Sequence, residues 1–387
     1  MLNVPHDAVD WVADDERLGE IFCLTFVKGV DETEALVRLG GLPDELRPRT
    51  LKEVGETSIS YDAGYPEFAF ALNLGDWTVL IEPNGFQGGL IEPLTALSRG
   101  TEAVSVQRHD YADHGFCYAV DGTLITGFEP TWPSRRWGSD PDRLTGLMRA
   151  ADLPPDPKPD LDVDVDLDLG LDLDPDLDPD LDTEVESLPR GYVPALLLAG
   201  LITGVLPHPD ALTGELPSAQ IQPWFSAAPP SRTAGPKDPA MVAALEAAPP
   251  HLLRAVAAHE AMRLAAVLGL DATPGLAETV AAAERGEPVA VSPGSELGAH
   301  VRSWLVRSRQ ASYSLNDGAY SRMSDDERTA AFMLGWFASA LRAALWPEPH
   351  AAARAALHPL TEGPTQLRDS AQEAAVLRIL RGDQAAI

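Results

Sequence analysis

The sequence predicts an α+β domain with a largely antiparallel sheet, followed by an all-α helical domain. Three features predict it. Short β-branched and aromatic runs joined by turn dipeptides dominate residues 1–151. Capped segments with helical apolar spacing fill residues 238–387. Between them the composition changes twice, first into an Asp/Leu ladder and later into a Pro/Ala-rich stretch. A chain of 387 residues is long enough for two folded units, each with its own core.

The first strand is read over Glu20–Lys28 (EIFCLTFVK), where β-branched and aromatic residues concentrate. Asp31, with Glu34 three residues on, opens a helix that Gly40-Gly41 closes. Strands follow at Glu67–Leu72 and Trp77–Glu82, then an Asn84-Gly85 turn and a short helix over Pro93–Ser98. Ala103–Gln107, Phe116–Val120 and Leu124–Phe128 read as a meander, the last two joined by the hairpin dipeptide Asp121-Gly122. Asp140-Pro141 supplies the expected cap and first-turn proline of a helix running to Leu153.

Residues 152–187 are read as a disordered insertion. From Asp152 to Glu186 thirteen Asp and two Glu stand against one Lys, a net 14 of the chain's 30 excess negative charges. The Asp/Leu alternation of residues 160–182 imitates a strand, but aspartates two apart on one face would sit about 7 Å apart. Each such pair repels by about 0.6 kcal/mol in water. Pro175 and Pro179 also remove ladder donors.

Tyr192–Leu206 (YVPALLLAGLITGVL) is too apolar for a linker and shorter than the roughly 20 residues of a membrane-spanning helix. It reads as a buried helix of the first domain, which then comprises residues 1–151 and 188–216. Residues 217–237 read as a Pro/Ala-rich linker. Helices are then expected from Asp238-Pro239 onward, at His251–Leu268, Gly275–Arg285, Ser295–Arg309, Asp325–Trp346, His350–Leu357 and Gln366–Arg381. The Asp325 helix carries a Ser324/Glu327 capping box and a face of Phe332, Met333, Trp336, Phe337, Ala340, Leu341 and Leu345. It is the expected centre of the helical domain.

A net charge of −30 disfavours nucleic-acid and anionic-membrane partners, which call for clustered cations. Four Lys beside 25 Arg, with abundant Ala, Pro, Gly and Leu, point to a GC-rich bacterial source. Cys23 and Cys117 lie in apolar strand segments, so no disulfide framework is expected. The first twenty residues carry neither a basic start nor an apolar run, and a cytoplasmic protein is expected.

Common nucleotide-binding and hydrolase motifs are missing from the sequence. His259-Glu260 begins like a zinc-protease motif, but position 263 is Arg, and His259 reads as a core or boundary residue. His109, Asp113 and His114 crowd metal-capable groups between two strands and form a weak metal candidate; a solvated connection is the preferred reading. The acidic ladder lacks the glycine turns of a fixed calcium cage. Trp132, Arg135, Arg136 and Trp137 form the most partner-like loop, since Trp and Arg dominate interface hot spots, although the arginines could instead pair with the chain's own carboxylates. Arg307, Arg309 and Arg322 flank a polar stretch read as an interhelical loop.

FCLTFVKGVDETEALVRLGG (22–41), DWTVLIEPNGFQGG (76–89), LSRGTEAVSV (97–106), YAVDGTLITGFEP (118–130) and RWGSDPDRL (136–144) together resemble a family of actinobacterial proteins of unknown function. The resemblance extends to ALLLAGLITGVLPHPDAL (195–212), covering about residues 10–150 and 190–215. It implies a small α/β domain and a lineage, and brings no activity. Trp77, Glu82, Asn84 and Gly85 fall within its motifs, where strand-and-turn geometry accounts for them.

The function expected is a non-enzymatic protein-interaction or regulatory protein of immunity type, with another protein as partner and no cofactor. One alternative is a metal-dependent enzyme built on His109, Asp113 and His114. Another is an acidic nucleic-acid mimic acting through residues 160–182. The sequence leaves partner identity and oligomeric state open.

Overall fold

The computed structural model describes residues 9, 11–15, 17–109, 114–156, 192–226, 235–315 and 318–382. The acidic ladder at 160–182 and residues 227–234 lie outside the described residues. The strands are β1 (Phe22–Lys28), β2 (Arg47–Arg49), β3 (Glu67–Leu74), β4 (Trp77–Pro83), β5 (Glu102–Arg108), β6 (Gly115–Val120), β7 (Thr123–Phe128), β8 (Arg136–Trp137) and β9 (Leu216–Ile221). They form one nine-stranded sheet in the order β2-β9-β3-β4-β1-β5-β6-β7-β8, with antiparallel pairing from β3 to β8.

Helices α1 (Trp11–Asp14), α2 (Glu32–Leu39), α3 (Leu51–Ser58), α4 (Ile91–Leu97), α5 (Thr145–Ala150) and α6 (Tyr192–Thr203) are interspersed with the strands. Helices α7 (Pro239–Ala247), α8 (Pro250–Val267), α9 (Leu276–Glu284), α10 (Glu296–Tyr313), α11 (Asp325–Ala344), α12 (Pro349–Ala356), α13 (His358–Glu362) and α14 (Ser370–Leu380) make the rest all-α. The chain is thus α+β followed by all-α. By packing it divides into two compact units, Met1–Leu39 with Ala69–Pro217, and Gly40–Phe68 with Ser218–Ile387.

In the first unit β1 is paired on both edges, Thr25 lying opposite Leu80 of β4 and Ser105 of β5. Strand alternation sends Phe22, Leu24 and Phe26 to one face and Cys23, Thr25 and Val27 to the other. The aromatic face meets α6, where Tyr192 contacts Phe22 edge-on at 5.8 Å. Across the sheet Phe116 stacks on its register partner Phe128 at 4.8 Å. Eight of the twelve α6 residues are buried, so the apolar run after the ladder is a core helix. Gly204, at φ 76°, ends it with an N–H bond to the Gly200 carbonyl. Helices α2 and α4 pack together on the opposite side, α2 on β4 and α4 on β5 and β7.

The hairpin dipeptide Asp121-Gly122 has φ of 47° and 74°, the two positive values a two-residue type I′ loop requires. Asp140, in contrast, does not cap a helix. Its N–H bonds the Ile125 carbonyl at 3.0 Å and its carbonyl accepts from Thr126 Oγ1 at 2.9 Å, so the edge of β7 holds it and α5 begins only at Thr145.

In the second unit α11 is central, packing on α8, α9, α10, α12 and α13, and its Ser324/Glu327 capping box forms. Trp304 meets Phe337 at 5.1 Å among Leu264, Val301 and Leu341. Phe332, expected on the apolar face, is exposed because it lies about 140° around the helix from Phe337. The stretch read as a linker opens on structure: Ser218, Ala219 and Ile221 of β9 are buried, and Trp224 donates its indole N–H to the Ala338 carbonyl at 2.6 Å. Ser218 Oγ donates to the Arg47 carbonyl at 2.8 Å and accepts from the buried Arg49 at 3.1 Å.

Residues 60–64 rest on α10. Gln310 donates to the Tyr61 carbonyl at 2.8 Å and Arg309 to the Gly64 carbonyl at 3.0 Å, while any Cβ at position 64 would meet Val306 at 2.5 Å. His259, half-buried on α8, reaches Gln372 at 3.4 Å. Its neighbour Glu260 is fully buried and paired with Arg263; burial raises its carboxyl above the ordinary value despite that partner. Among the described residues no helix is long and apolar enough to cross a membrane.

The Trp224 anchor gives a direct stability test. Trp224→Phe removes the N–H together with one of the two fused rings, so the Ala338 carbonyl loses its indole donor and a small void opens. Urea denaturation followed by circular dichroism should show the helical unit losing about 1–3 kcal/mol. An unchanged midpoint would mean the bond contributes nothing.

Candidate functional site

The loop singled out by its tryptophans and arginines runs from the end of β7 into β8. Local turns shape it: Trp132 N–H bonds the Glu129 carbonyl and Arg135 N–H the Trp132 carbonyl, each at 2.9 Å. β8 then pairs with β7, Gly127 opposite Trp137 and Phe128 opposite Arg136. Adjacent strand residues point to opposite faces, so the two side chains diverge.

Arg136 turns inward. Its guanidinium bonds Asp142 Oδ1 at 2.6 and 3.2 Å, the Pro133 carbonyl at 2.7 Å and the Pro155 carbonyl at 2.6 Å. It ties three segments of chain together. Trp137 is seated over Gly127, where a Cβ would come within 2.6 Å of the indole Nε1, yet 46% of the residue remains exposed. Trp132 is 49% exposed, with the Arg135 guanidinium 5.5 Å above its ring. The loop therefore presents Trp132, Arg135 and Trp137 outward and spends Arg136 on its own architecture.

The metal candidates are placed apart. His109 packs against Phe86 at 6.2 Å, in the loop that covers the Thr25 face of the sheet, whereas His114 packs against Tyr192 of α6 at 5.4 Å, on the Phe22 face. Asp113 lies outside the described residues. Among the described residues no three His, Cys, Asp or Glu groups gather as metal ligands would.

A buried polar row, which composition does not reveal, lies on the Thr25 face. Cys23 Sγ sits 3.2 Å from Ser105 Oγ and 3.5 Å from Thr25 Oγ1, and the two hydroxyls are 3.3 Å apart. Glu82, across from Cys23 in register, accepts the backbone N–H groups of Gln87 and Gly88, each at 2.8 Å. This draws the turn after β4 down onto the sheet. Asn84 enters it at φ 53°, and a Cβ at Gly88 would overlap Thr25 Oγ1, so only glycine fits. Burial, reinforced by the nearby Glu82 carboxylate, pushes the Cys23 thiol far above its ordinary value; burial alone pushes Cys117 up to about 12. Both thiols are buried and held in the protonated form, which suppresses thiolate chemistry.

At the other end of the same strands Lys28 bonds Glu102 at 2.6 Å and lies over Trp77, while Tyr118 donates to Glu102 at 2.8 Å. Burial and this bond together push the Tyr118 hydroxyl up to about 12. The Glu102 carboxyl sits below its usual value, because the bonds from Lys28 and Tyr118 outweigh burial, the largest effect, which acts to raise it. An open depression of about 490 Å³ lies beside Lys28, Thr101, Glu102 and Asp121; Lys28 and Glu102 pair with each other, and Asp121 accepts the Gly100 N–H.

Fold and sites together define an α+β protein with helical residues beyond it and with motif residues that hold strands and turns in place. The chain belongs to the family of unknown function DUF6461, whose model matches residues 3–206, just over half its length. It matches no curated protein and no solved structure.

Two measurements follow. Maleimide labelling of the native chain should modify neither Cys23 nor Cys117, and both in denaturant; rapid native labelling would contradict their burial. For Glu102, a carboxyl lowered in the folded state contributes stability that is complete above its unfolded value and lost as pH falls through its folded value. Glu102→Gln should therefore flatten the acid side of the stability profile, and it should also soften the alkaline fall, because Lys28 and Tyr118 lose the carboxylate that helps raise both.

Proposed function

We propose that the protein is a non-enzymatic interaction module, a regulatory or immunity-type partner of another protein, and that Trp132, Arg135 and Trp137 form its contact face. One observation supports this above the others. Two indoles stand half-exposed within six residues, seated on a loop that Arg136 fixes from inside. Large aromatic side chains held rigidly at the surface, with an arginine between them, have the composition of an interface hot spot. Arg136 acts as a positioning residue.

The acidic balance of the chain favours a protein over a nucleic acid or an anionic membrane as partner. The compartment in this reading is the cytoplasm, in keeping with two buried thiols that call for no oxidising environment. No cofactor enters the proposal.

Affinity capture with the full chain in a lysate of its source organism tests it. The wild type should retain a discrete protein, and the Trp132→Ala/Trp137→Ala double variant should lose it, with each truncation costing about 2 kcal/mol or more. Thermal melts should show the variant folded. Equal capture by wild type and folded double variant would sink the proposal.

A further inference from the structure

We infer that the Trp132–Arg135–Trp137 face takes an acidic segment of its protein partner: an Asp or Glu carboxylate gripped by Arg135, with aliphatic side chains beside it lying against the two indoles. This rests on the interaction reading above and specifies its chemistry.

The state of Arg135 carries the argument. Its guanidinium carbon lies over the Trp132 ring, 5.5 Å from the centroid. The indole offers no oxygen acceptor, so the N–H donors of the guanidinium stay available for a two-pronged bond to a carboxylate. Among the described residues no carboxylate lies within ion-pair reach of Arg135 and no side-chain hydrogen bond engages it. Its neighbours differ: Arg136 is paired with Asp142 and Arg149 with Asp156. Among the described residues the loop thus pairs Arg136 and leaves Arg135 over an indole with no carboxylate beside it.

The same local charges argue for a carboxylate over a phosphate polymer. Backbone recognition of nucleic acid needs several cations in a row. Here Arg136 is neutralised by Asp142, and among the described residues Arg135 is the cation of the loop with no carboxylate paired to it. A single cation on a surface that also exposes two indoles matches a single carboxylate flanked by apolar side chains. Salt screening within about 8 Å means these near groups, and not the distant net charge, decide the contact.

The test uses the full chain and a blocked synthetic peptide carrying one Glu between two Leu in a Gly/Ser background. Its control replaces that Glu with Gln. Tryptophan emission should shift on titration with the Glu peptide, and the Gln peptide should bind about tenfold more weakly, the loss expected for one charge-assisted bidentate contact. Arg135→Gln should bind both peptides equally and weakly, whereas Arg135→Lys should recover part of the preference for Glu.

Equal binding of the two peptides to wild type, failure of the Glu peptide to bind, or an unaltered Arg135→Gln variant would each overturn the inference. Capture of the native partner separates this failure from failure of the broader reading. If the Trp132→Ala/Trp137→Ala variant still loses the partner while the peptides bind alike, the face is an interface of another chemistry; if capture is also unchanged, both readings fall.

Discussion

Strand β1 sets the terms for the first unit, because it is hydrogen-bonded on both edges and covered on both faces. A strand so enclosed must satisfy two different neighbours through alternate residues. Phe22, Leu24 and Phe26 supply bulk to the α6 side, each worth roughly 1.5–3 kcal/mol of burial. Cys23 and Thr25 supply small polar groups to the other. Their small size lets the turn after β4 lie directly on the sheet, and the Glu82 carboxylate holds it there through two backbone donors. A larger residue at position 25 or 88 would lift that turn and uncover a charged group at the sheet surface. The EPNGFQGG segment is therefore explained by packing: a carboxylate, a left-handed Asn84 and a close-approach Gly88 are what a turn pressed against a sheet requires.

The same alternation, at the far edge of the sheet, divides the work of two adjacent arginines. β8 is long enough to place Arg136 and Trp137 on opposite faces and no longer. Arg136 goes to the interior, where one carboxylate and two carbonyls absorb its donors; a guanidinium so placed is costly to disturb, since its removal leaves each acceptor unpaired. Trp137 goes outward onto Gly127, whose missing side chain provides the seat. The exposed indoles and Arg135 are thus products of an ordered frame, and an ordered frame lowers the entropy that binding must overcome.

Much of this was legible in the residues. The strands β1 and β3–β7 announced themselves by branched and aromatic runs between turn dipeptides, and α7 and α11 by Asp-Pro and Ser-x-x-Glu openings whose caps form. Elements β2, α3, β8, β9 and α13 escaped because each is short and its pattern is dull: Arg-Pro-Arg and Leu-Pro-Ser-Ala-Gln-Ile carry no apolar alternation, and tertiary pairing alone makes them strands. Trp224 sat inside a proline-rich composition that disguised its anchoring role. The polar row was visible in principle, as Cys23, Thr25 and Ser105 at period two on otherwise apolar strands; small polar residues there signal a face that backbone approaches. The different fates of Arg135 and Arg136 were not visible, since they depend on a strand of two residues.

The central claim is that Trp132 and Trp137 meet a partner protein. Replacing either with the photo-reactive amino acid benzoyl-phenylalanine and irradiating intact cells tests this most directly, with Val267, exposed on α8, as the comparison position. A discrete cross-linked species from positions 132 and 137, and none from 267, is the predicted outcome. Cross-linking from 267 alone, or from none of the three, would contradict the account.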